Sequence, residues 1–320
     1  LEGLNAFATT YFFYYLFFFM SKVHGFGNRE NLALAALNGF VYAIGAWWGG
    51  RFGQRFGYFR ALQAGFSIMA VALASGTFVQ SVLGHIATML ACTIGMCLTW
   101  PNLEALVSEK ESPYGLQRMV GLYNMVWAAT GGLAFFVGGA LLETLGLSSM
   151  FWIPVAVHLL QLSLLFWLQR FADSPPKTDI TSPTLFSSPP PLNPRPIARA
   201  RAFLKMAWLA NPFAYVAVNT VVAVVPGLAA KLELRPALAG VFCSIWLFSR
   251  LTTFWVLWLW QGWHYRFRWF IAAYVSLTAG FATILLLPTL PLIIAGQIVF
   301  GFGLGLIYYS SLYYSMNVGE

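Results

Sequence analysis

Arg250 stands in the run Trp246-Leu247-Phe248-Ser249-Arg250-Leu251, a full positive charge in a stretch otherwise suited to hydrocarbon. If that run crosses a bilayer as a helix, Arg250 lies about 15 Å from its cytoplasmic end, farther than a guanidinium readily snorkels. A bare charge there costs at least about 2.5 kcal/mol, so it needs a partner or water. Its planar fork of donors suits a carboxylate or phosphate. No acidic residue shares its depth: Glu104 is nearer the cytoplasmic end, Glu143 and Glu233 are near the outer face, and Glu2 begins the first span. An anionic solute is one partner that fits; helix carbonyls, or an acid in spans beyond this stretch, are the other.

Other polar side chains inside apolar segments point to a lining or to interhelical hydrogen bonds. Asn211, Tyr215 and Asn219 recur at i, i+4 and i+8 and form a stripe on one helix face. Asn5 pairs with Thr9 at i+4, and Tyr11 with Tyr14 and Tyr15 at i+3 and i+4. Gln297 lies early in the last apolar segment, and its later residues Tyr308, Tyr309, Tyr313 and Tyr314 are expected near a cytoplasmic gate. Trp100 and Asn102 flank Pro101, which weakens the helix and frees a carbonyl where a hinge or a simple kink could sit. Glu104 follows within a turn and is the candidate for proton coupling; His158 reads instead as a packing residue. If these spans line a path, the candidates for solute contact, weighted by the family resemblance described below, are Arg250, Asn219, Tyr215, Asn211, Tyr11, Tyr15, Asn5, Gln297, Trp100 and Asn102. The four histidines are scattered, the three cysteines lie in apolar blocks, and no catalytic pair is visible, so neither an enzyme, a metal site nor a cofactor is indicated.

The elements that must carry these residues follow from composition. With 59% hydrophobic and 9% charged residues, water is not the main solvent. Apolar blocks of about 20 residues without period-2 alternation mean membrane-spanning helices. Ten are placed at 3 to 22, 31 to 49, 61 to 79, 83 to 107, 119 to 142, 148 to 169, 206 to 228, 236 to 260, 268 to 287 and 290 to 316. The Pro-rich segment between the sixth and seventh denies helix and sheet bonding and reads as a linker, dividing the chain into 1–171, linker 172–202 and 203–320. Basic residues such as Arg51, Arg55, Arg60, Lys110, Arg118 and Arg170 fall on the linker's side, against Lys22, Arg29, Lys231 and Arg235 on the other. The amino end and linker are thus expected in the cytoplasm of a cell membrane, plasma or bacterial inner. The same asymmetry accounts for most of the +8 charge without nucleic acid.

Between the second and third spans, Gly50-Arg51-Phe52-Gly53-Gln54-Arg55-Phe56-Gly57-Tyr58-Phe59-Arg60 resembles the loop signature of the major facilitator superfamily, G-x-x-x-D-R-x-G followed by basic residues. Gly50, Arg55 and Gly57 match in register, Gln54 replaces the acidic position, and Arg60 arrives one residue late. These five residues are the expected gating loop. The resemblance implies an all-α, two-bundle fold of twelve helices, ten of them present here and the C-terminal end incomplete. It implies a central path lined by the first, fourth, seventh and tenth helices, a small-molecule substrate, the lipid bilayer as surroundings and a monomer. Gly95-x-x-Leu98 with Trp100 aligns with Gly303-x-x-Leu306 with Tyr308, as an internal repeat requires. Gly45-x-x-x-Gly49 and Gly301-x-x-x-Gly305 are expected where the bundles slide. The fifth span is glycine-rich like that of family antiporters but lacks their Gly-Pro pair. The function so implied is secondary transport of a small, possibly anionic solute by alternating access. A non-transporting receptor or scaffold, or a membrane enzyme, is the rival, and flux of labelled solute into proteoliposomes separates them.

Overall fold

The computed structural model describes residues 1–109, 113–172, 197–260, 262–287 and 289–318. They form α1 (Glu2–His24), α2 (Asn28–Phe56), α3 (Tyr58–Gly76), α4 (Val82–Ser108), α5 (Pro113–Leu145), α6 (Ser149–Ala172), α7 (Ile197–Lys231), α8 (Pro236–Cys243), α9 (Ile245–Leu259), α10 (Phe267–Leu286) and α11 (Leu290–Val318). Among the described residues, nine segments are long and apolar enough to cross a bilayer, with α8 and α9 together making one. α1 is the tenth span. It is buried on nearly every side, from Asn5 through Tyr11, Phe12 and Tyr15 to Met20, which marks a central helix. Helices stand at all ten expected positions among the described residues. Most of the Pro-rich linker, 173–196, lies outside the described residues.

α1 packs on α5 and α6, α4 on α2 and α3, and α3 on α6; farther along, α11 packs on α7, α9 and α10. The two sets meet where α5 lies against α8 and α9, and where α7 lies against α2 and α1. The end at which α1 starts, where α4 and α11 finish, is termed the lower end; the opposite end is the upper. Phe40, Trp47, Trp48, Trp152, Phe166, Trp167 and Trp255 lie exposed on the outside, as lipid-facing side chains should.

The faint repeat in the sequence is a real one in space. A Cβ on Gly95 would press on the Gly65 carbonyl (2.8 Å) and the Met69 nitrogen (3.4 Å); a Cβ on Gly303 would press on the Ala273 carbonyl (2.9 Å) and the Leu277 nitrogen (2.6 Å). Each partner in the second set lies 208 positions after its counterpart, 65 to 273, 69 to 277 and 95 to 303. On the same offset the Gly45–Cys97 contact recurs as Thr253–Gly305, with the small residue changing sides.

The glycine pairs expected at sliding surfaces have another role. Gly45 and Gly49 meet Cys97 of α4, and Gly301 and Gly305 meet Trp246, Ser249 and Thr253 of α9, so both pairs join helices within one set. Pro101 has no N–H for the Cys97 carbonyl, and Gly49 lies so close to that oxygen that a Cβ would overlap it. Asn102 pins the same point, its amide donating to Gly49 O (3.0 Å) and Leu98 O (2.9 Å). The proline therefore sits in a continuous α4 held tightly to α2.

One span breaks, between α8 and α9 at Ser244. Gln297 bridges the break: Nε2 donates to Phe242 O (2.8 Å), and Oε1 accepts from the Trp246 N–H (3.4 Å). Gln297→Leu should leave the Phe242 carbonyl without this donor and destabilise the protein by about 1–3 kcal/mol, read as a lower melting temperature of purified protein. An unchanged melting curve would show that the break holds without it.

Candidate functional site

Arg250 points from α9 into the middle of the assembly and is 3% exposed. Aromatic rings cage it. Its guanidinium carbon is 4.2 Å from the Trp127 ring centroid, 5.2 Å from Trp246, 5.8 Å from Tyr308 and 5.9 Å from Phe254. Tyr14 and Tyr215 complete the surroundings, with hydroxyls in electrostatic reach of the guanidinium. The cage draws on α1, α5, α7, α9 and α11, and so on both sets of helices. Tyr14 lies 6.3 Å from Trp246, Tyr215 lies 5.0 Å from Tyr308, and Trp127 lies 6.1 Å from Tyr308.

Cation–π contacts lower the cost of burying this charge by about 0.5–2 kcal/mol each, through the faces of the rings. They do not use the N–H donors in the guanidinium plane. Nε is buried without a hydrogen-bond partner. The cage thus leaves one donor of a buried cation unused. On the 208-residue offset the Arg250–Tyr308 pair corresponds to Tyr42 and Trp100, whose rings are 5.9 Å apart. One of the two related positions thus carries a charge and the other a tyrosine.

The other expected site residues separate into two groups. Asn5 is fully buried and both its amide atoms lack partners; Trp100 Nε1 and Asn211 Oδ1 are likewise buried without partners. These groups remain available. Tyr11 instead shares a hydrogen bond with Ser149 (2.7 Å), Tyr15 donates to Phe135 O (2.6 Å), and Asn219 donates to Tyr215 O (2.9 Å). Tyr11 and Tyr15, with Asn102 and Gln297, tie separate helical segments together, whereas the Asn219 bond stays within α7. Glu104 faces a cavity of about 250 Å³ at the lower end, lined also by Pro101, Ala105, Val107, Ser108, Tyr123 and Leu312. Trp127, Tyr123 and Tyr42 are absent from the expected site because nothing in an aromatic-rich apolar text distinguishes a cavity ring from a lipid-facing one. The 208-residue offset is the signal that could have found Tyr42.

In the loop between α2 and α3, Gly57 has φ +95°, where a side chain would be strained, and α3 starts at the next residue. Gly53 lies against Asn102 and Gly50 against Pro101. The Arg55 guanidinium lies 5.3 Å from the Phe56 ring, and Arg51 lies 3.8 Å from Trp47. Gln54 and Arg60 are exposed.

A model of the Major Facilitator Superfamily matches residues 3–319. The chain belongs to this superfamily. It is a multi-pass membrane protein of a transporter family, as its loop signature and helix order implied. Similar solved structures include a bacterial homologue of the human lysosomal transporter Spinster, inward-facing and occupied (16% identity, TM-score 0.60, covering 98% of this chain and 71% of that one). Others are a D-xylose–proton symporter (14%, 0.63, 99% and 86%) and the human organic anion transporter MFSD10 (TETRAN) (13%, 0.58, 99% and 85%). At such identities the likeness is one of fold. No curated protein matches the sequence.

The upper end is sealed between the two sets of helices. Gly139 lies against the Pro236 carbonyl, Gly240 against the Phe135 and Phe136 carbonyls, and Gly227 against Asn28. Glu143 Oε1 accepts from the Ala237 N–H (3.0 Å) in the first turn of α8, where the helix dipole favours a carboxylate. Glu143→Ala should weaken this seal by about 0.5–2 kcal/mol, read as faster hydrogen exchange at the start of α8. Unchanged exchange there would assign the seal to the glycine contacts alone.

Proposed function

We propose that the chain moves a small solute bearing a carboxylate or phosphate across a cell membrane by alternating access, with Arg250 holding the anionic group. The carrying observation is a buried guanidinium whose Nε has no partner, at the junction of the two helix sets. Residues 1–171 and 203–320 act as two bundles that rock about this site as a monomer, and the upper seal marks one end of the cycle. Trp100, Asn5 and Asn211 supply further polar contacts, and Glu104 at the lower cavity is the group available for ion coupling. The basic residues of the α2–α3 loop support a cytoplasmic lower end and linker.

The test is uptake of labelled solutes by proteoliposomes containing the purified chain, after a thermal-shift screen of anionic, neutral and cationic metabolites. Saturable uptake of an anion-bearing solute, recovered unchanged inside, is expected. Binding without accumulation would identify a receptor or scaffold, and recovery of an altered molecule would identify an enzyme.

A further inference from the structure

The residues below Arg250 carry a second, oppositely charged feature that transport of an anion does not require. Glu2 is 8% exposed, and its carboxylate makes no close hydrogen bond, facing the Tyr123 hydroxyl, the Asn5 amide and the Leu1 amino group. Asn5, one turn along α1, is fully buried with both amide atoms unpartnered. Beside them stands Tyr123 of α5, and Glu104 of α4 lies within electrostatic reach of Glu2. Glu104 and Tyr123 both line the lower cavity, whose volume suits a small organic group. Two carboxylates in one weakly polar region repel each other unless a cation or a proton lies between them.

Two helices independently give the distance to Arg250. Tyr123 lines the cavity while Trp127, at i+4, lies over the guanidinium; Leu312 lines the cavity while Tyr308, at i−4, lies beside the guanidinium. The cavity at Glu104 is therefore about one helical turn, ~6 Å, below Trp127 and Tyr308, the lower side of the cage. Along α1, by contrast, Glu2 lies about three turns, ~18 Å, before Tyr14 on the cage's upper side. Tyr215 is in electrostatic reach of both Glu104 and Arg250. The acids stand on α1 and α4, and the arginine on α9.

We propose that Glu2 and Glu104, with the Asn5 amide and the Tyr123 hydroxyl, bind the ammonium group of the same solute whose anionic group Arg250 holds. The substrate is then a zwitterion with its charges several ångströms apart, pulling on both helix sets at once. This rests on the Arg250 reading above.

The test is calorimetry on the full chain in lipid nanodiscs with two matched series. One is 4-(aminomethyl)benzoate, 4-methylbenzoate and benzylamine; the other is 5-aminopentanoate, pentanoate and pentylamine. In at least one series the zwitterion should bind about tenfold or more tightly than its deaminated acid, because a site with buried carboxylates rejects a ligand that leaves them unpaired. Glu104→Gln and Glu2→Gln should each reduce that preference, the zwitterion losing more affinity than its deaminated acid, and unchanged melting curves of the ligand-free variants show that they fold. Arg250→Gln should weaken both acids. Equal binding of zwitterion and deaminated acid, or a preference that survives both Gln variants, overturns the second pole and leaves the Arg250 reading standing. Acid binding indifferent to Arg250→Gln overturns that reading, and no binding of any acid overturns both.

Discussion

Arg250→Met is expected to lower uptake of the transported solute by about 30-fold or more while leaving the melting temperature of the substrate-free protein unchanged or raised. Both halves follow from the cage. Truncating one side of a buried charge pair costs roughly 2–5 kcal/mol, and about 1.4 kcal/mol is tenfold in affinity. Without substrate, the guanidinium has ring faces and tyrosine hydroxyls around it but an Nε with no partner, so an apolar side chain of similar volume removes a desolvation penalty that offsets the lost cation–π contacts. Arg250→Lys should recover only part of the uptake, since an ammonium keeps the charge but loses the fork. Proteoliposome uptake and thermal melting on the same preparations decide the matter. Stability lost together with uptake would make Arg250 a structural residue bonded to the fold, and uptake within about twofold of the unsubstituted chain would remove it from the site.

Gly139→Leu should act at the upper seal. A Cβ at Gly139 overlaps the Pro236 carbonyl and would lie 2.8 Å from the Ala237 Cα, both backbone atoms of α8 that cannot move as a side chain would. Overpacking inside a rigid core costs about 1–3 kcal/mol, but here parting α5 from α8 relieves it. The sealed state should lose population by roughly 5- to 150-fold relative to an upper-open state. Spin labels at Leu145 and Arg235, both exposed beside the seal, should report a longer distance, and uptake should fall because the cycle stalls. An unchanged distance distribution with a lower melting temperature would mean that α5 and α8 are a fixed joint. A leucine at Gly45 is the comparison: it meets Cys97 within one set of helices, so it should cost stability without opening the seal.

The contrast between these glycines shows how far reading along the chain reaches. Glycine at i and i+4 announces a close helix contact, yet it does not name the partner. Gly45 and Gly301 were expected at sliding surfaces and lie within one set, whereas Gly139, Gly227 and Gly240 form the contacts between sets. Gln297 and Asn102 teach the same lesson for polar groups. Both avoid lipid, as polarity requires, and both spend hydrogen bonds on backbone groups, Asn102 on carbonyls of α2 and its own helix and Gln297 on a carbonyl and an N–H flanking the α8–α9 break.

Run length and apolar content determined the ten spans, because a bilayer imposes one length and forces the backbone to bond within each segment. The same logic singled out Arg250, since a charge at that depth is improbable without a reason. The cage of Trp127, Tyr308 and Trp246, the cavity at Glu104 one turn below, and the division between lining and fastening residues were decided only by tertiary structure. Hydrophobicity is a property of single positions measured against lipid. A site is a meeting of faces from five helices, and the rotation of each helix about its own axis is set by packing against its neighbours.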